Sequence, residues 1–378
     1  MIRTSIITIL LAIVWATGQS QTFTPVVEDS IDFVITGSTT SPHDSVAMFP
    51  CAPDGDMMMF PIVGGKFKVT GRLPRHTFIQ IGDNIGNDLR FIVEETPIDI
   101  NLVTGEVTGS ELQQRFIRCQ MREREINKIF EPWWNRFSDE EKDRIYTLSG
   151  GGLADATAED SINLRKLNQH MDDLSHTRRQ IIQENLDNII PAWYLNTGMG
   201  SLTLEQLQEI MHEDAPYASL PAMEGPWMAY NCMLRQATNK GKSAPDFETE
   251  APDGTKHHLS EYTGRGKYVL IDFWASWCGL CIASIPFMKE LYATYKDRNI
   301  VFLGVSCDKD RDAWLKALEK HQLPWISMRS PSGMDDAINL YGVDGVPTVI
   351  LIDPVGNVIS TGLGGNEVKT KLIDIFEE

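Results

Sequence analysis

Along the first hundred residues apolar and polar positions alternate in short runs: Asp32 to Thr36, Ser45 to Phe49, Lys66 to Val69, Thr77 to Ile81, Arg90 to Val93 and Ile98 to Leu102. Turn residues stand between them, among them Pro53-Asp54-Gly55, Gly64-Gly65 and Gly82-Asp83-Asn84. A period of two at this spacing predicts a small β-sandwich. The period changes at Ser110, where Leu112, Phe116, Cys119, Ile126 and Ile129 recur at helical spacing up to Pro132-Trp133-Trp134. After Ser149-Gly150-Gly151-Gly152, the residues Ile162, Leu164, Leu167, Met171, Leu174, Ile181, Ile182 and Leu186 mark one long amphipathic helix. Thr203 followed by Gln206 reads as a capping box that opens a helix over Leu204 to His212. A helix around Trp227 to Ala237 closes this region, and Asn239-Lys240-Gly241-Lys242-Ser243 forms a polar linker. Strands then alternate with helices to the end, the pattern of an α/β sheet covered on both faces. The expected chain is multi-domain: a leader over 1–20, a β-sandwich over 21–108, an all-α region over 109–238 and an α/β domain over 239–378.

The leader is read from Arg3, the apolar run Ile6 to Trp15 and the small residues Ala16-Thr17-Gly18. These are the parts of a secretory signal peptide, and the apolar run is shorter than the ~20 residues a membrane span needs. The expectation is an exported protein, in the periplasm, with no span in the mature chain. A formal charge of −18 with no basic stripe argues against nucleic acid as a partner. Arg118, Arg122 and Arg124 alternate with Glu123 and Glu125, as on a solvated helix face. His170, His176 and His212 are spread over the helices and are read as surface histidines; neither a metal nor a cofactor is expected.

Export gives the six cysteines a compartment in which disulfides persist. Cys278 and Cys281 form the one close pair, while Cys51, Cys119, Cys232 and Cys307 stand singly. No further Cys or His lies at zinc-ligand spacing. A bridge between Cys119 and Cys232, on the first and last helices of the all-α region, is left open by the sequence. The run Tyr268 to Trp274 reads as a buried strand, and Ile282, Ile285, Phe287, Met288, Leu291 and Tyr292 as the apolar side of the helix that follows. Cys278 then sits at a helix N-terminus, where unpaired N–H groups and the helix dipole favour thiolate over thiol. It is the expected nucleophile, with Cys281, one turn inside, as the resolving thiol. Asp272 interrupts the apolar strand, so burial should raise its pKa and suit it to proton transfer near neutrality.

The stretch from Ile271 to Cys281 (IDFWASWCGLC) closely resembles the thioredoxin active-site segment, Pro286 resembles the proline that kinks its helix, and Gly345-Val346-Pro347-Thr348 resembles the cis-proline loop. Ser243-Ala244-Pro245-Asp246-Phe247 and Leu303-Gly304-Val305-Ser306 with Asp308 and Asp310 resemble the TlpA/ResA-type branch. The front half resembles, more loosely, the regions that precede the thioredoxin module in exported bacterial oxidoreductases. The resemblance implies a thioredoxin fold and a thiol-disulfide oxidoreductase. It implies that Pro347 is cis, that Val346 offers backbone hydrogen bonds to substrate, that Trp277 belongs to the substrate-binding rim, and that Asp272 deprotonates Cys281. It also implies protein thiols or disulfides as substrates and an upstream electron donor, thioredoxin-like or a membrane redox protein. Two departures stand out: the strand Ile300 to Val305 lacks the lysine that neighbours the aspartate in thioredoxins, and Ser284 replaces a glutamate common in the ResA branch.

A peroxidase of the same fold is rejected, because it needs Thr or Ser three residues before the cysteine and Pro seven before it; here these are Ala275 and Ile271. Reduction of protein disulfides is the preferred direction. Oxidase, isomerase and a scaffold protein with a secondary redox module stay open at this point. Cys307 reads as a packed small hydrophobe, and Cys51 has no evident partner.

Overall fold

The computed structural model describes residues 29–51, 56–83, 86–149 and 157–377. The leader, the Pro53-Asp54-Gly55 turn, Asn84 and Gly150 to Gly152 lie outside the described residues. Contacts group the chain into two compact units, Phe23–Trp227 and Met228–Glu378.

The first unit opens with eight strands: β1 (Ser30–Ser38), β2 (Ser45–Pro50), β3 (Met58–Val63), β4 (Lys66–Pro74), β5 (Phe78–Gly82), β6 (Asp88–Ile92), β7 (Ile98–Asn101) and β8 (Val107–Thr108). Their order is β6-β5-β2-β3-β4-β1-β7-β8. Met58 to Pro61 of β3 pair with β2, and Ile62 and Val63 pair with β4, so one strand belongs to both halves. Ile35, Val69 and Ile100 from one half share an apolar cluster with Met48, Ile81 and Phe91 from the other. The sandwich read from the sequence is therefore a single ribbon folded over its own core.

Helix α1 (Glu111–Trp134) begins where Ser110 accepts the N–H of Gln113, and it runs through Pro132 instead of ending there. It carries two buried glutamines against the edge strand β6. Gln113 Oε1 accepts the Ile92 N–H at 2.9 Å, and the Gln120 amide accepts the Arg90 N–H and donates to the Arg90 carbonyl. An edge strand exposes unpaired backbone groups; here side-chain amides satisfy them, which ties helix to sheet within one unit. The remaining helices are α2 (Asp139–Ser149), α3 (Ala158–Gln183), α4 (Ile190–Gly198), α5 (Leu204–Ile210) and α6 (Glu224–Asn239). Thr203 and Gln206 form the capping box of α5. α6 crosses the division at 227/228, so its C-terminal part belongs with the α/β unit and not with the helices that precede it.

The second unit holds β9 (Glu248–Glu250), β10 (Lys256–His258), β11 (Tyr268–Trp274), α7 (Gly279–Tyr295), β12 (Ile300–Ser306), α8 (Arg311–His321), β13 (Ile326–Arg329), β14 (Thr348–Ile352), β15 (Val358–Leu363) and α9 (Gly365–Phe376). The sheet order is β10-β9-β13-β12-β11-β14-β15, with β11 central, parallel to β12 and antiparallel to β14. Alternation along β11 divides its side chains between two faces. Val269, Ile271 and Phe273 enter one cluster with Tyr341 and Val343; Leu270 enters another with Met288 and Leu291 of α7 and Leu372 of α9. Asp272 and Trp274 share the parity of Leu270, so they lie on the face that α7 covers. Among the described residues no helix is long and apolar enough to cross a membrane.

Candidate active site

The end of β11 delivers Cys278 to the N-cap of α7, and Cys278 and Cys281 are joined as a disulfide with Cα atoms 5.2 Å apart. The Cys281 N–H donates to Cys278 Sγ at 3.1 Å, which places that sulfur where an N-cap side chain takes up a free helix amide. Both cysteines belong to one buried apolar cluster with Trp274, Ala275 and Trp314. Their neighbours differ: Trp277 is 65% exposed and Leu280 74%, against 8% for Cys278 and 2% for Cys281. The pair is thus buried and flanked by two protruding apolar side chains.

The Val346–Pro347 peptide bond is cis. The Val346 carbonyl oxygen lies 3.4 Å from Cys278 Sγ. Thr348 donates through Oγ1 to the Gly345 carbonyl at 2.6 Å and pairs with Phe273 of β11, which anchors the loop beside the cysteines. The structure therefore brings Cys278, Cys281, Trp277, Val346 and Pro347 to one end of the sheet.

Asp272 is 8% exposed, and burial pushes its carboxyl up to about 7. Its parallel neighbour on β12 is Gly304, so no lysine ammonium stands beside it. That space is filled by indoles: a Cβ on Gly304 would lie 2.7 Å from Trp325 Nε1 and 3.6 Å from Trp274 Nε1. With apolar rings in place of a cation, desolvation alone sets the direction of the shift. Cys307, in the cluster on the opposite face, has its thiol pushed up to about 12, first by burial and then by the carboxylates of Asp308, Asp272 and Asp336. It stays a thiol and packs as an apolar residue.

Sequence reasoning did not single out the support under the active-site turn. Asp308, buried, accepts the Ser276 N–H at 2.9 Å, the Ser276 hydroxyl at 2.6 Å and the Ser306 hydroxyl at 2.6 Å. This carboxylate fixes the turn that presents Cys278. Ser284, in the place of the ResA-branch glutamate, donates to the carbonyl of Cys281 within its own helix.

The other candidates fall elsewhere. Cys119 and Cys232 are buried and unbridged, in different units. Cys119 accepts a weak hydrogen bond from Asn185, and the Cys232 thiol is pushed up to about 11 by burial and then by Asp344. His170 stacks on Phe130 with ring centroids 3.8 Å apart, His176 bonds Gln180, and His212 bonds the Glu209 carbonyl. Among the described residues no group of three or more His, Cys, Asp or Glu is placed to hold a metal ion.

Comparison with known proteins matches residues 239–374 to the Redoxin family. Among curated relatives, the thiol-disulfide oxidoreductase ResA of Geobacillus thermodenitrificans is 34% identical over 126 residues, which are 33% of this chain and 69% of that protein. ResA of Bacillus thuringiensis is 32% identical over 138 residues, 36% of this chain and 77% of the relative. A solved thiol-disulfide oxidoreductase from Bacteroides fragilis is 33% identical, covers 36% of this chain and all of its own, and superposes with a TM-score of 0.34.

Proposed function

From the premise that the chain belongs to the ResA-type thiol-disulfide oxidoreductases, we propose that it reduces protein disulfides outside the cytoplasm through the Cys278-Gly279-Leu280-Cys281 centre. The observation that carries this reading is the placement of Cys278 Sγ at the start of α7, 3.4 Å from the Val346 carbonyl and bonded to Cys281.

In the reduced chain the amides and dipole at the start of α7 favour the Cys278 thiolate. A substrate segment docks in extended form along Val346 and Pro347, with Trp277 and Leu280 as apolar rim. The thiolate attacks one sulfur of the substrate disulfide; a Cys278–substrate bond forms and the other substrate sulfur leaves as thiolate. Asp272 takes the proton of Cys281. The Cys281 thiolate then attacks Cys278 Sγ, which forms the Cys278–Cys281 bond present in the structure and releases the second substrate sulfur. The substrate gains two electrons and the enzyme loses two, to be restored by a dithiol donor, thioredoxin-like or a membrane redox protein. The leader supports an exported, periplasmic setting for this exchange.

The test is to keep Cys278 and change Cys281→Ala. Without the resolving thiol the mixed disulfide accumulates, and dithiothreitol-reversible adducts with exported proteins are expected. Adducts that persist at equal yield in Cys278→Ser/Cys281→Ala would refute the assignment of the nucleophile.

A further inference from the structure

The last turns of α6 make contacts for which the exchange chemistry has no use. Gln236 Nε2 donates to the Gly342 carbonyl at 2.6 Å, and Asn239 Nδ2 donates to the Leu340 carbonyl at 2.6 Å. Both acceptors lie in the segment that leads into the cis-proline loop. Gly342 has φ +68°, and a Cβ there would come 2.3 Å from the Cys232 carbonyl oxygen, so loop and helix backbones meet with no side chain between them. Below, the Tyr341 hydroxyl donates to the Pro245 carbonyl at 2.6 Å, and the Val343 N–H to the Ala337 carbonyl at 3.1 Å.

Beyond Val343 the chain rises to the surface. Asp344 and Gly345 are exposed, and a Cβ on Gly345 would touch nothing within 4 Å. Val346 is half-buried against the apolar clusters on either side, and the next fully buried residue is Thr348. The stretch that carries Val346 is thus a short span, and its N-terminal end is held by the two side-chain amides of α6 together with the anchored Tyr341 and Val343. The hydrogen bonds of these amides reach the span and not the Cys278–Cys281 pair, α7 or Asp272, although Gln236 also lies against Gly362 of β15.

We propose that Gln236 and Asn239 are positioning residues for substrate docking: they set where the Val346 backbone stands relative to Cys278 Sγ, and so govern binding of an extended peptide and not exchange at the sulfurs. This rests on the reading of Val346 and Pro347 as the docking edge. A small disulfide that reaches Cys278 without lying along the loop is indifferent to them.

The experiment uses the full chain, pre-reduced and read in single turnover, so that KM and kcat are the half-saturating substrate concentration and limiting rate of one exchange, with Gln236→Met, Asn239→Leu and the pair. Gln236→Glu and Asn239→Asp keep the shape and lose the N–H donors. Two substrates are compared: a synthetic peptide containing a disulfide, and dithiobis(nitrobenzoic acid). The expected result is a rise of about tenfold in KM for the peptide with kcat within about twofold, because a displaced docking edge loses binding in the ground state and the transition state alike. The rate with the aromatic disulfide and the equilibrium with glutathione should stay within about twofold of wild type. An unchanged peptide KM, or equal slowing with both substrates, overturns the proposal. If the apolar variants do not fold, Gln236→Glu alone decides. A wild-type chain that reacts with neither substrate sinks the reading of the site itself, whereas an active chain with indifferent variants sinks only this inference.

Discussion

Replacing Asp272 with asparagine should make the protein more stable and less active, and the size of the gain should depend on pH. The carboxyl titrates at about 7 in the folded chain against an ordinary value of 3.8, with burial as the cause. At about 1.36 kcal/mol for each pH unit between the two, the difference is on the order of 4 kcal/mol. Because the folded value lies above the unfolded one, the stability associated with this group is fully present below about pH 4 and is lost as pH rises through about 7. Roughly 2 to 3 kcal/mol of that loss falls between pH 5 and pH 8. The asparagine side chain carries no charge and suffers none of it, while any cost of its buried amide is constant across the range. The variant's stability relative to wild type should therefore increase by roughly 2 to 3 kcal/mol from pH 5 to pH 8. The assay is guanidinium unfolding of the bridged protein at pH 5, 6.5 and 8, with hydrogen exchange at the β11 amides assigning the transition to this unit. In parallel, resolution of the mixed disulfide should slow by about 10²-fold, the loss of a general base. A stability difference that does not change with pH, or that shrinks towards pH 8, refutes the reasoning.

Trp277→Ala removes an exposed ring, so the unfolding midpoint should barely move, by less than about 0.5 kcal/mol. Partial burial of the indole by a docked peptide, about 1 to 1.5 kcal/mol, makes the expected rise in peptide KM about five- to tenfold; an unchanged KM removes Trp277 from the rim. Gln120→Ala strips the partners from both backbone groups of Arg90. It should cost about 2 kcal/mol in guanidinium unfolding and speed hydrogen exchange at the Arg90 amide. Full protection of that amide in the variant contradicts the edge-pairing role of α1.

The candidate site is readable in the sequence because its parts are local. The strand ends, a helix starts, and the second thiol follows the first at a separation of 3, one turn inside; period and spacing alone place Cys278 at an N-cap. Asp272 was legible as a polar residue within an apolar run. The cis-proline loop needed a resemblance to be found, since nothing in the composition of Gly345-Val346-Pro347-Thr348 says which strand it will face. In the front unit, β3 was missed because Met58-Met59-Phe60-Pro61-Ile62-Val63 is apolar without alternation and partly exposed, although it pairs with strands of both halves.

The groups that hold the parts in place were illegible for one physical reason. Gln113, Gln120, Gln236 and Asn239 are polar residues whose partners are backbone atoms far along the chain, 106 residues away for Gln236 and 101 for Asn239. A side-chain amide that replaces a missing backbone partner leaves no period and no motif; before the fold exists it looks like any surface amide. Such bonds nevertheless carry a high penalty when broken, because a buried carbonyl or N–H left alone forfeits its hydration as well as its bond. The cysteine pair is therefore read from neighbours in sequence, whereas the loop beside it and the edge strand of the front unit are held by bonds that only the fold creates. If Gln236 and Asn239 act as proposed, variation at these two amides changes what the chain binds without changing how its sulfurs react.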